Sequence, residues 1–145
     1  MMDALHRYRA LGVGDRRLVI EAAVLLSIVR LGIVSLQFSV LRSLLDRLLR
    51  VDPRRRSGTP SPSVERCAWA VAAVSRRLPF RSTCLVESLA VDAMMRRRGY
   101  ATEIRFGVRP PKDGVLAGHA WVECDGAVVF GSLQDYSALS TRDAE

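Results

Sequence analysis

The chain predicts an α+β fold with the helices first and a small antiparallel sheet last, and three features carry that expectation. Apolar residues recur at helical spacing through the first two thirds of the chain, residues from Ala101 onward alternate in polarity, and Asp125-Gly126 separates two strand-like runs. With 145 residues there is room for one compact domain with an elaborated end. Hydrophobic residues make up 49% of the chain and aromatics only 6%, so a core built from aliphatic side chains and Ala is expected.

The most apolar stretch runs from Leu18 to Leu49. Gly14-Asp15 offers a turn and an N-cap, and no Pro follows until Pro53, so the stretch predicts one long helix or two abutting helices with the break at Gly32. A membrane span wants ~20 nearly uncharged residues, and Glu21, Arg30, Arg42, Asp46 and Arg47 interrupt this run. Burial against the rest of the protein is therefore the first reading, with peripheral membrane contact or partner docking as the sharper ones. The segment Val51 to Pro62, with its prolines, Gly58 and Arg54-Arg55-Arg56, is linker chemistry. It divides the chain into an N-terminal apolar helical segment (1–56) and a catalytic part (57–145).

Beyond the linker, Pro62 suits a first helical turn, and Val64, Cys67, Ala68, Val71, Val74 and Leu78 recur on one face until Pro79. A second helix starts at Cys84, with Ser82 or Thr83 as N-cap and Glu87 in the first turn; Leu85, Leu89, Ala93 and Met94 form its buried face. Arg96-Arg97-Arg98-Gly99 closes it, with cations in the last turn and Gly where left-handed geometry is needed. Ala101 to Val108 reads as a strand and Arg109 to Gly114 as a loop. His119 to Cys124 and Ala127 to Phe130 then form a hairpin about Asp125-Gly126.

The net charge of +7 is carried by arginine, Lys112 being the one lysine. Arginine's rigid fork favours carboxylates and phosphates, so an acidic peptide or partner surface fits. The arginines are dispersed, no aromatics interleave with them and no zinc-finger spacing occurs, which argues against nucleic-acid binding. Cys67, Cys84 and Cys124 are odd in number, widely spaced and lack a Cys-x-x-Cys pair, which argues against a disulfide framework or a structural metal site. The residues Met1 to His6 lack the pattern of a secretory signal, and with this cysteine usage they predict a cytoplasmic protein.

Two residues carry the chemistry. A thiolate is the nucleophile, and Thr83-Cys84 places the sulfur at a helix N-terminus, where free N–H groups and a partial positive charge favour the anion. An isolated cysteine there would be read as a small buried residue; a suitable base elsewhere changes the balance. Of two histidines, His6 lies near the N-terminus, whereas His119 sits on a strand whose alternation puts His119, Trp121 and Glu123 on one face. If Cys124 pairs with Ala127, the hairpin register brings His119 opposite Ser132. The orienting third group is left open: Asp135 first, Ser132 through a hydroxyl second, Glu123 third.

Cys84-Leu85-Val86-Glu87-Ser88-Leu89-Ala90, Met94 to Thr102, Ile104-Arg105-Phe106-Gly107-Val108-Arg109 and His119-Ala120-Trp121-Val122-Glu123 together resemble the transglutaminase-like leader peptidases of lasso-peptide biosynthesis. The resemblance spans roughly Val64 to Leu133. It implies a transglutaminase-like, papain-like cysteine protease core without cofactor, in which Cys84 attacks a carbonyl of a lasso precursor peptide and His119 shuttles the proton. It also implies a separate leader-recognition protein and an ATP-dependent cyclase as partners. The family usually carries Asp or Glu about a dozen residues after the histidine, where this chain has Gly131 and Ser132. An acyl transferase on the same scaffold and a non-catalytic scaffold that docks the cyclase are the competing readings.

Overall fold

The chain between Val13 and Leu48 holds no proline and is rich in Leu, Val, Ile and Ala, and it folds as two helices. This is seen in a computed structural model, which describes residues 12–48, 63–80, 82–109, 117–131 and 137–138. Helix α1 (Val13–Ser35) buries Leu18, Ala22, Leu25, Leu26 and Val29 along one side. Asp15 in its first turn pairs with Arg66, and Glu21 meets Arg98 in a two-point bridge, with N–O distances of 3.1 and 2.6 Å.

The expected break at Gly32 is corrected: α1 runs through Gly32 and ends at Ser35, with Leu36 extended. Gly32 acts in packing instead. A Cβ there would stand 2.5 Å from Leu41 Cδ1, so the missing side chain lets α2 (Phe38–Leu48) fold back with Leu41 buried. By length and composition α1 is apolar enough to cross a membrane, and Glu21 and Arg30 do not take it below that level. Its inner side nonetheless belongs to the common core.

Helix α3 (Val64–Ser75) starts after Ser63, whose side chain makes no capping hydrogen bond, and buries Cys67, Ala70, Val71, Ala73 and Val74. It ends at Ser75, ahead of Pro79, with Arg76 and Arg77 in a turn. Helix α4 (Cys84–Arg96) is buried from Ser88 to Met95 without interruption. One amphipathic face was expected there; α1, α3 and the sheet enclose the helix from several sides, so almost every residue is inside. Gly99, at φ 84°, takes the left-handed position that its place after the helix predicted.

Strands β1 (Thr102–Arg109) and β2 (Ala117–Cys124) pair antiparallel along their length, with β3 (Ala127–Phe130) beside β2 and β4 (Ser137–Ala138) beside β1. The four-stranded order is β3-β2-β1-β4. Ile104, Val122 and Cys124 enter the same apolar cluster as the buried residues of α1, α3 and α4, so one sheet face meets the helices. The architecture is α+β. Of the loop expected from Arg109 to Gly114, Arg109 belongs to β1, paired with Ala117, and 110–114 lie outside the described residues, as does the boundary expected at 56/57. Helices α1 and α2 of the N-terminal segment pack directly on the rest.

Candidate functional site

Cys84 is the first residue of α4 and is half-buried. Thr83 caps the helix, its Oγ1 accepting from the Val86 N–H at 3.4 Å, and Cys84 follows it at the N-terminal end, where a helix presents N–H groups without intrahelical partners. Ser82, two residues before the sulfur, has a buried hydroxyl that makes no hydrogen bond among the described residues. The other two thiols differ in kind. Burial pushes Cys67 up and, with help from Asp125, pushes Cys124 up, which disfavours the thiolate at both. All three cysteines are free.

His119 lies on β2 opposite Gly107, and the imidazole stacks on Trp121 with ring centroids 6.3 Å apart and planes 24° apart. Trp121 is fully buried, and its Nε1–H donates to Glu123 Oε1 at 2.9 Å. Glu123 Oε2 in turn accepts from Arg105 Nε at 3.3 Å. His119, Trp121 and Glu123 thus share a face, as alternation predicted, but Glu123 is engaged with the indole and Arg105.

The two candidate residues belong to elements that pack on each other, and a buried hydrogen bond joins those elements. Ser88, one turn along from Cys84, donates its Oγ hydrogen to the carbonyl of Ala120 at 3.1 Å, next to His119. This contact forms where β3 has left β2. The hairpin turns at Asp125-Gly126, with φ of 50° and 79°, and Cys124 pairs with Ala127 as expected. A bulge then shifts the register, so that Val122 pairs with Phe130. Gly131, at φ 91°, follows, and a Cβ on it would lie 2.7 Å from Trp121 Cβ and 3.4 Å from the Ala120 oxygen. The Ala120 carbonyl therefore faces both Ser88 of α4 and the backbone at Gly131.

The bulge departs from the unbroken hairpin register by which His119 was counted opposite Ser132, and no β2–β3 pairing is described beyond Val122 and Phe130. Ser132 and Asp135 both lie outside the described residues. Ser88 was not singled out in the sequence, although a serine four residues from Cys84 in an apolar helix is a detectable signal. Asp92, another four residues on, was also missed. It is buried, accepts from Thr102 Oγ1 at 2.6 Å and pairs with Arg96 at 3.3 Å. Burial raises its pKa, against the opposing pull of Thr102 and Arg96.

Among the described residues no group of three or more His, Cys, Asp or Glu could hold a metal ion. A surface groove of about 300 Å³ is lined by Ser39, Val40, Ser43, Leu44 and Arg47 of α2 and includes neither candidate residue. Residues 27–141 match the family model described as the transglutaminase-like superfamily. No curated protein and no solved structure matches the chain at a significant level.

Proposed function

Because the chain belongs to the transglutaminase-like superfamily, we propose that it is a cysteine peptidase in which Cys84 is the nucleophile and His119 the base, in the papain-like manner. The observation that carries this reading is the Ser88 to Ala120 contact, which ties the first turns of the cysteine helix to the strand residue next to the histidine. In the proposed reaction His119 takes the Cys84 proton and the thiolate attacks a peptide carbonyl. The N–H groups at the start of α4 stabilise the resulting oxyanion. His119 then returns the proton to the leaving amine, and water hydrolyses the thioester to a carboxylate and the free thiol.

The substrate proposed is a lasso-peptide precursor whose leader is removed, with a separate leader-recognition protein delivering it and an ATP-dependent cyclase receiving the product. Support for this finer assignment is the run of short motifs from Cys84 to Glu123; the family match itself carries only the transglutaminase-like class. That match favours a second reading, transfer of the acyl group from Cys84 to an amine instead of to water. Asp135 is proposed as the group that orients His119.

Incubating the protein with precursor and leader-binding partner, then weighing the products, separates the readings. A leader ending in a free carboxylate supports the peptidase, and an amide-linked product supports the transferase. Processing that continues undiminished in Cys84→Ala would refute both.

A further inference from the structure

Helix α1 is apolar on both sides, and only one is used inside the protein. Its outer side carries Ile20, Val24, Ile28, Leu31 and Val34, all more than half exposed, with Leu31 at 67% and Val34 at 71%. A helix that is hydrophobic all round requires cover on all sides. From Ile20 to Val34 the stripe is about 21 Å long at 1.5 Å per residue, and even with Val13 it reaches only about 32 Å. At one helix width, ~10 Å, it offers roughly 300 Å², well short of the ~800 Å² per partner of a stable protein interface.

Charge bears on what that cover is. The acids of α1 and α2 are all engaged with arginines: Asp15 with Arg66, Glu21 with Arg97 and Arg98, and Asp46 with Arg42 and Arg96. Arg17, at the N-terminal end of the stripe, is exposed and makes no ion pair among the described residues. The outward side therefore combines aliphatic side chains with unneutralised positive charge. Crossing the bilayer is a poorer solution, because it would carry the Glu21–Arg98 pair and the α3 and α4 contacts into hydrocarbon.

We propose that α1 lies in the plane of an anionic membrane surface, with Ile20, Val24, Ile28, Leu31 and Val34 at the acyl boundary and Arg17 among the headgroups. The inner side of α1 stays in the core, so the whole domain sits on the membrane. This holds whichever acyl acceptor Cys84 uses.

Flotation of the purified full chain tests it, with vesicles of phosphatidylcholine and phosphatidylglycerol compared against phosphatidylcholine alone. The protein is expected to float with the anionic vesicles and to be released by high salt. Arg17→Ser should weaken binding about fivefold, the effect of one surface cation. Leu31→Asp should abolish it while leaving the thermal unfolding curve in place, because that side chain is 67% exposed and stands outside the apolar cluster. Failure to float with anionic vesicles overturns the proposal, as does undiminished flotation of Leu31→Asp. A dimer in sedimentation velocity that Leu31→Asp dissolves would assign the stripe to a second copy and overturn it as well.

Discussion

Replacing Ser88 with Ala tests the contact on which the candidate site depends. The Ser88 side chain is fully buried, and its hydroxyl donates to Ala120 at 3.1 Å. Deleting one oxygen leaves a space too small for water, so the carbonyl loses this donor without replacement. The cost of such a loss is about 1–3 kcal/mol. For a domain of this size that corresponds to a fall in Tm of roughly 3–10 °C. Thermal unfolding by far-UV circular dichroism reads the stability, and product formation from the precursor reads the site. Ser88→Ala should lower kcat by more than it changes KM, since the contact holds the cysteine helix against the histidine strand and touches no substrate. Ser88→Thr, which keeps the hydroxyl, should recover part of kcat. An unchanged Tm would show that the contact carries no stability. A lowered Tm with unchanged kcat would remove Ser88 from the positioning of Cys84.

Iodoacetamide under native conditions should alkylate Cys84 at least ~100-fold faster than Cys67 or Cys124, whose burial keeps them protonated and covered; peptide mapping by mass spectrometry checks the order. Gly131→Ala should destabilise by about 2–4 kcal/mol, combining left-handed strain with a clash on Trp121. Gly126→Ala, with open space around it, should cost only about 1 kcal/mol, and equal costs in denaturant melts would refute the role given to Gly131. The raised pKa of Asp92 means that the folded protein binds a proton more readily there than the unfolded chain does. Its contribution to stability is therefore greatest below the ordinary Asp pKa of ~3.9 and declines as pH rises through the folded value. Asp92→Asn should flatten that decline in urea melts taken from acid to neutral pH.

What was legible in the sequence is what local chemistry decides. Thr83 before Cys84, Gly99 after the arginines and Asp125-Gly126 between two strands each act within a few residues, and each stands where expected. The strands follow from alternation, and the candidate thiol and imidazole from their residue types. The misreadings concern contacts between distant segments. Gly32 looks like a helix breaker because its packing partner, Leu41, comes from the next helix. The register beyond Val122 is set by a bulge and by the approach of Gly131 to Trp121, which a count along an ideal hairpin does not contain. Helix α4 reads as amphipathic because nothing local says that it will be enclosed on several sides.

The placement of the two tryptophans turns the candidate site into its own optical probe. Trp121 is fully buried against His119, whereas Trp69 on α3 is 41% exposed. Indole emission shifts to the red in water and is quenched by a neighbouring imidazolium, so the two residues contribute distinguishable parts of one spectrum. Removing the outer one by Trp69→Phe leaves a single emitter next to the candidate base. Its emission then reports on the surroundings of the candidate base without added dye, and does so whether or not a substrate has been found.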